Sequence, residues 1–203
     1  MTQTLLKNKT ITETCQSSAN HNIYYYNPKD KYAIHEFCQT LSLLIQKKCR
    51  RKQEIILLCI GSDRATGDCL GPIIGYKLAS LSHPNLTIYG TLEEPVHAKN
   101  LEETMKKIKK LHRSALIIAI DASLGSASHL GYITLGEGSL HPGIGVDKEL
   151  PCVGDIFITG IVNISGLLNN LLLQTTRLHV VMQLADFICC GIRFSLKNCL
   201  YFL

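Results

Sequence analysis

Two periods of apolar residues run through this chain and divide it into elements. From Asp30, a candidate N-cap, Ile34, Phe37, Cys38, Leu41, Leu44 and Ile45 recur at helical spacing, and the segment closes on Lys47, Lys48, Arg50, Arg51 and Lys52. Such spacing collects the apolar side chains on one face, and cations suit the C-terminal end of the helix dipole, so an amphipathic helix is predicted. Residues 55–60, IILLCI, form instead an unbroken apolar run that stops at Gly61. A run that short and continuous predicts a strand covered on both faces, central in its sheet. Residues 73–81 predict a helix ending before Pro84, residues 86–89 a second strand, and residues 115–120 a third. Between the last two, Asn100 and Glu103 make an N-x-x-E capping pattern, and Leu101, Met105, Ile108 and Leu111 draw one apolar stripe through a highly charged helix.

Strands alternating with helices imply right-handed crossovers and a mainly parallel sheet between helical layers. The predicted fold is therefore α/β, a three-layer αβα sandwich. Residues 130–135 and 156–162 add strands, and two apolar segments, 165–174 and 178–194, complete the outer helical layer. The stretch between the added strands, GEGSLHPGIGVDKELPCVGD, is longer than a simple connector needs, which marks it as a functional loop. Residues 1–28 are rich in Thr, Asn, Ser and Gln without a hydrophobic period, and read as a flexible arm ahead of a single domain over 29–203.

Composition narrows the class. With 203 residues, 46% hydrophobic and 18% charged, the chain is long enough to bury roughly 70% of its unfolded surface without disulfide or metal staples. The net charge of +5 resides largely in two lysine-rich runs, at 47–52 and 106–110, with no aromatic interleaving to stack bases, so nucleic-acid binding is not expected. Nine cysteines lack C-x-x-C spacing and read as small core residues of a cytoplasmic protein. No signal-peptide stretch opens the chain, and the uncharged run between Asp155 and Arg177 holds Asn163, Asn169, Asn170 and Gln174, which argues against a membrane span.

In a parallel sheet, ligands lie beyond the carboxyl ends of the strands. The loop after the first predicted strand delivers Asp63, Arg64 and Asp68; the third delivers Asp121 at its end; the long loop delivers His141. Two carboxyls in one crevice cannot both ionise cheaply, so one keeps a proton as acid while the other serves as base. Asp68 is equally suited to capping a helix, and Asp121 to bonding its own turn. The glycines of GSDRATGDCLG match neither dinucleotide nor phosphate-loop fingerprints. Asp68, Asp121 and His141 together make an oxygen, oxygen, nitrogen set of the kind a divalent metal uses. Cys69 is a further candidate nucleophile with His141 as its base. Glu93, Glu94 and His97 also follow a strand, and fit either the crevice or an exposed turn.

The segments IGSDRATGDCLGPIIGYKL, TLEEPVHAKNL and IDASLG, followed by LHPGIGVDKELPCVGDIFITGIVN, resemble the sporulation protein YyaC family over about residues 54–170. That family is similar to the germination protease of endospore-forming bacteria, which degrades small acid-soluble spore proteins, and more distantly to the hydrogenase maturation endopeptidases. The resemblance implies a hydrogenase-maturation-protease-like fold and an aspartic-type endopeptidase in the cytoplasm of the sporulating cell or spore, acting on a spore protein and requiring no cofactor. Thr66, Asp68, Leu70, Gly71 and Pro72 match the T-x-D-x-L-G-P motif of the germination protease, and Ile120, Asp121 and Ala122 its I-D-A motif; Gly67 and Cys69 depart from it. Asp68 and Asp121 thereby inherit the catalytic roles, and His141 opens a shared H-P-G-x-G-V segment. The hydrogenase endopeptidases carry nickel on an acid, an aspartate and a histidine, so Asp68, Asp121 and His141 are also the implied nickel or zinc set. The rival expectation is a member of the same fold that binds a spore peptide without cutting it.

Overall fold

The computed structural model describes residues 22–50, 53–81, 83–142, 150–166 and 169–200. One six-stranded sheet runs through it. In chain order the strands are β1 (Ile23–Tyr26), β2 (Ile55–Cys59), β3 (Leu86–Tyr89), β4 (Leu116–Gly125), β5 (Ile133–Glu137) and β6 (Ile156–Ile164). The helices are α1 (Ala33–Lys48), α2 (Leu70–Leu78), α3 (Leu101–Leu111), α4 (Asn169–Gln174) and α5 (Leu178–Leu200), with a 3₁₀ turn at Thr66–Cys69 leading into α2. Across the sheet the order is β1-β5-β6-β4-β2-β3. β6, β4, β2 and β3 are parallel, while β5 is antiparallel to both β6 and β1.

Alternation along β2 shows how the layers form. Ile55, Leu57 and Cys59 face a core shared with Phe37 and Leu41 of α1, Ile74 of α2, and Leu184 and Ile188 of α5. Ile56 and Leu58 face the opposite core, under Leu101, Met105 and Ile108 of α3. Every residue of β2 is buried, as expected of a parallel strand covered on both faces. Helices thus lie on both sides of the sheet, and the αβα prediction holds. By length and composition α5 is apolar enough to cross a membrane. Its Val181, Leu184, Ala185, Ile188 and Ile192 are buried in the core of this fold, which accounts for that hydrophobicity.

Several boundaries differ from expectation. Tyr24, Tyr25 and Tyr26, predicted within the arm over 1–28, belong instead to an edge strand whose register pairs Ile23 with Gly136 and Tyr26 with Ile133; residues 1–21 lie outside the described residues. Aromatic residues favour strands, and a four-residue edge strand leaves almost no periodic signal. Asp30 does not cap α1, which starts at Ala33 with no side-chain cap. Asn100 does precede α3, but its amide accepts from the His97 N–H and donates to the Pro95 carbonyl rather than capping the helix. α2 begins at Leu70, earlier than its apolar period suggested, because Pro72 is tolerated in the first turn of a helix.

Close packing of α2 against the sheet depends on Gly71. A Cβ there would overlap the Ile60 carbonyl oxygen and crowd the Ile60 nitrogen. Backbone atoms held in a sheet cannot step aside as a flexible side chain would. Replacement of Gly71 by Ala should therefore destabilise the protein by about 2–3 kcal/mol, lowering Tm by on the order of 5–10 °C. Thermal unfolding by circular dichroism checks this, and an unchanged Tm would mean that α2 can retreat from Ile60.

Candidate functional site

The crossover from β2 leads through α2 to β3 on one side, whereas β4 lies on the other side of β2. Helices α2 and α3 serve opposite faces. β2 and β4 therefore flank a topological switch point, where the connecting segments diverge and leave a crevice. β2 stops first: Cys59 is level with Ile120, and Ile60 donates its N–H to the Ile120 carbonyl at 2.7 Å. β4 continues beyond that level to Gly125, paired with β6.

Gly61 turns the chain out of the sheet. Its φ of +139° lies in a region that L side chains avoid, and a Cβ would overlap the Asp68 carbonyl oxygen. Its N–H donates to the Val96 carbonyl at 2.8 Å, and the next residue, Ser62, donates its N–H to the Asp68 carbonyl at 3.1 Å. This folds the 3₁₀ turn back over the end of β2. Val96 forms a parallel bridge with Ile60, which brings the chain after β3 alongside the same end and delivers His97.

A cavity of about 350 Å³ occupies the gap, and its lining includes Ser62, Arg64, Asp68, His97, Asp121 and Ser123. Asp68 and Asp121, 53 positions apart in sequence, thus share one crevice, as the sequence suggested. Asp121 is not at a strand end as predicted: it lies within β4, opposite Thr159 of β6, and is only 6% exposed. Its Oδ1 accepts the N–H of Ala122 at 2.8 Å. Burial pushes the Asp121 carboxyl well above the usual carboxylate range, and the Asp68 charge pushes it further against the opposing Ala122 N–H. Burial also raises Asp68, but the Ser62 N–H and His97 pull it back. The two environments separate the pair in one direction, with Asp121 keeping its proton longer and Asp68 ionising first.

His141 is placed elsewhere. It is exposed, does not line the cavity, and has its Nε2 2.9 Å from the Cys152 sulfur. The predicted three-residue set is therefore not assembled around the two aspartates. Among the described residues, no three His, Cys, Asp or Glu side chains converge to hold a metal ion. The donors present do not fit the nickel or zinc set implied by resemblance, and no chemical step is derived through one.

The histidine beside the aspartates is His97. Its Nδ1 is buried without a hydrogen-bond partner, while Glu93 and Glu94, grouped with it in the sequence, are exposed. Its legible signal was Val96, an apolar residue embedded among polar ones, which marks a segment returning to the core. Cys69 is buried, and its thiol donates to the Thr66 carbonyl at 2.8 Å. Burial raises that thiol above its ordinary range, an inert environment for a nucleophile. Asp63 is exposed and does not line the cavity.

The fold is similar to that of a solved hydrogenase maturation protease. It matches the crystal structure of a [NiFe] hydrogenase maturation protease HycI from Thermococcus kodakarensis KOD1 with a TM-score of 0.56, over 78% of this chain and 99% of that one, at 17% identity. A second solved structure, the Hydrogenase 3 Maturation protease, aligns at a TM-score of 0.45 and 17% identity over 68% of this chain and 87% of that one. Residues 24–191 match the model of the DUF1256 family, described as proteins of unknown function, and the chain belongs to that family. It is 42% identical over 171 residues to the uncharacterized protein YyaC of Bacillus subtilis (strain 168), covering 84% of this chain and 82% of that protein.

Burial of the Asp121 carboxyl has a measurable cost in stability at neutral pH. In the unfolded chain its carboxyl ionises near its ordinary pKa, whereas the folded state holds the proton to higher pH. The folded state then binds more protons, so this group's contribution favours folding at acidic pH and is lost as pH rises above the ordinary carboxylate range. Asn mimics the protonated carboxyl and can still accept the Ala122 N–H. Asp121→Asn should accordingly raise Tm at neutral pH by roughly 2–4 °C, the equivalent of about 1 kcal/mol in a domain of this size, with the gain vanishing near pH 4. A lower Tm for the variant at neutral pH would show that Asp121 is ionised and stabilised there.

Proposed function

We propose that the chain is a peptidase in which Asp68 and Asp121 hydrolyse a peptide bond in a protein substrate. The observation that carries this reading is the pair itself: two carboxyls at the switch point of the sheet, one enclosed and one half-exposed, facing one cavity beside a histidine with a free buried nitrogen. Asp68, ionised first, takes a proton from water as the water oxygen attacks the carbonyl carbon. Asp121 supplies a proton to the oxygen developing negative charge, and the proton passes on to the amine as the C–N bond breaks. His97 lines the same cavity and serves to orient the bound segment beside the two carboxyls. Acid–base assistance of this kind is worth roughly 10²–10⁴ in rate.

The shape around the site favours an extended segment as substrate. Among the described residues β3 ends the sheet, and no strand pairs with its outer edge. Ile55 donates its N–H to the Asn85 carbonyl, and the alternation of a parallel ladder then turns Thr87 and Tyr89 toward β2 and Ile88 outward. A groove of about 550 Å³ follows this edge past Ile88, Gly90, Thr91 and Asn100, and it reaches His97, which also lines the aspartate cavity. An extended peptide laid against β3 gains main-chain hydrogen bonds and leads toward the carboxyl pair. The same edge favours the second reading, a protein that binds such a segment without cutting it.

Incubation of small acid-soluble spore proteins with wild type, Asp68→Asn and Asp121→Asn, followed by intact-mass spectrometry, separates the two. Defined fragments from wild type, reduced about 10²–10⁴-fold in either variant, are expected of the peptidase. Retention of substrate without fragments in any form would favour binding alone, and cleavage at wild-type rate by both variants would sink the paired-aspartate mechanism. The pH profile should be bell-shaped. Its acid limb reports protonation of Asp68 and its alkaline limb loss of the Asp121 proton, with the acid limb lying above the ordinary carboxylate pKa because burial raises Asp68.

A further inference from the structure

His141, left outside the aspartate cavity, has a structural partner of its own. Leu140 and Val153 form an isolated antiparallel bridge closed in both directions, the Leu140 N–H donating to Val153 at 2.7 Å and the Val153 N–H to Leu140 at 2.9 Å. The next residues outward from that bridge are His141 and Cys152. Residues that face each other across an antiparallel ladder project to the same side, so the bridge itself sets imidazole against thiol. The result is a 2.9 Å approach of His141 Nε2 to Cys152 Sγ, with both residues exposed.

Among the described residues, Cys152 is the only exposed cysteine. Four of the other thiols are disfavoured chemically as well as sterically. Burial raises Cys38 and Cys69, pushes Cys189 up to about 12, and pushes Cys59 higher still. Reactive thiols need access and a nearby group that can receive the proton, and only Cys152 is shown with both.

We propose that Cys152 and His141 form a reactive-thiol site that exchanges with low-molecular-weight disulfides. His141 Nε2 accepts the Cys152 proton, and the sulfur attacks one sulfur of the disulfide. A Cys152–S bond forms as the original S–S bond breaks, and the leaving thiolate takes the proton from His141. One thiol is oxidised to a mixed disulfide, half of the reagent is reduced to a free thiol, and the disulfide itself is the oxidant. The site is separate from the aspartate pair and does not rest on the peptidase reading. Neither His141 nor Cys152 lines the aspartate cavity, so the two sites can be tested independently.

The full-length chain is incubated with glutathione disulfide, quenched with acid at intervals and mapped by peptide mass over all nine cysteines. Native wild type should acquire glutathione on Cys152 about 10²-fold faster than His141→Gln does, the lower end of what a positioned base supplies. In urea the two proteins should modify Cys152 at equal rates, because the bridge that aligns the pair is gone. A Cys152→Ser variant should lose the same phase while keeping the wild-type Tm. Equal native rates for wild type and His141→Gln would overturn the proposal. So would a difference that survives in urea, or modification of buried thiols ahead of Cys152.

Discussion

β2 and β4 are neighbours in the sheet, yet the chain leaves their common end in opposite directions. Everything at the candidate site depends on that divergence. A crossover returning on one face cannot cover the gap left by a crossover on the other, so a concavity is built in by connectivity before any side chain is chosen. Gly61 then decides what enters it. A residue with a Cβ would collide with the Asp68 carbonyl at a φ of +139°, and the 3₁₀ turn could not fold back over the strand end. Asp68, His97 and Asp121 come from three segments, and the hydrogen bonds of Gly61 and Ser62 tie the first two segments to the end of β2.

The same geometry sets the electrostatics. Asp121 pairs with Thr159 of β6 just beyond the level at which β2 ends, and it is enclosed. Asp68 enters on a short turn from the open side and keeps partial contact with solvent. Two chemically identical groups thereby acquire different proton affinities without any special residue to separate them. The cost is an enclosed carboxyl that the fold must keep protonated or pay to ionise, a burden expected where function competes with stability. Thr134 and Thr159, also buried polar residues, avoid that burden by bonding each other at 2.6 Å. Asp121 has one hydrogen bond from the backbone and a like charge across the cavity.

Much of this was legible in the sequence, for reasons that also explain the errors. The run at 55–60 and the stripe of α3 are strong signals because buried strands and amphipathic helices impose different periods. The carboxyl pair was legible because strand ends in a parallel sheet lie on one side. The length of β4 was not, since Ala122, Ser123 and Gly125 carry no strong strand preference and are held there by β6. β1 escaped because four residues after a polar stretch show no period, and its partner β5 is remote in sequence.

His141 shows where motif reading ends and geometry begins. A histidine in a proline- and glycine-containing loop invites assignment to the nearest chemistry, and a shared motif strengthens the invitation. A loop residue's reach is nevertheless decided by pairings at the base of the loop. Here those are the two hydrogen bonds between Leu140 and Val153, which commit His141 to the residue facing it across the ladder, Cys152. His97 is committed just as firmly in the other direction, because Val96 pairs with Ile60 at the end of β2 and the next residue must follow it into the crevice. Two histidines with similar prospects in the sequence thus part ways through a single backbone bridge each. The bridge, rather than the residue type, determines which becomes part of the aspartate site.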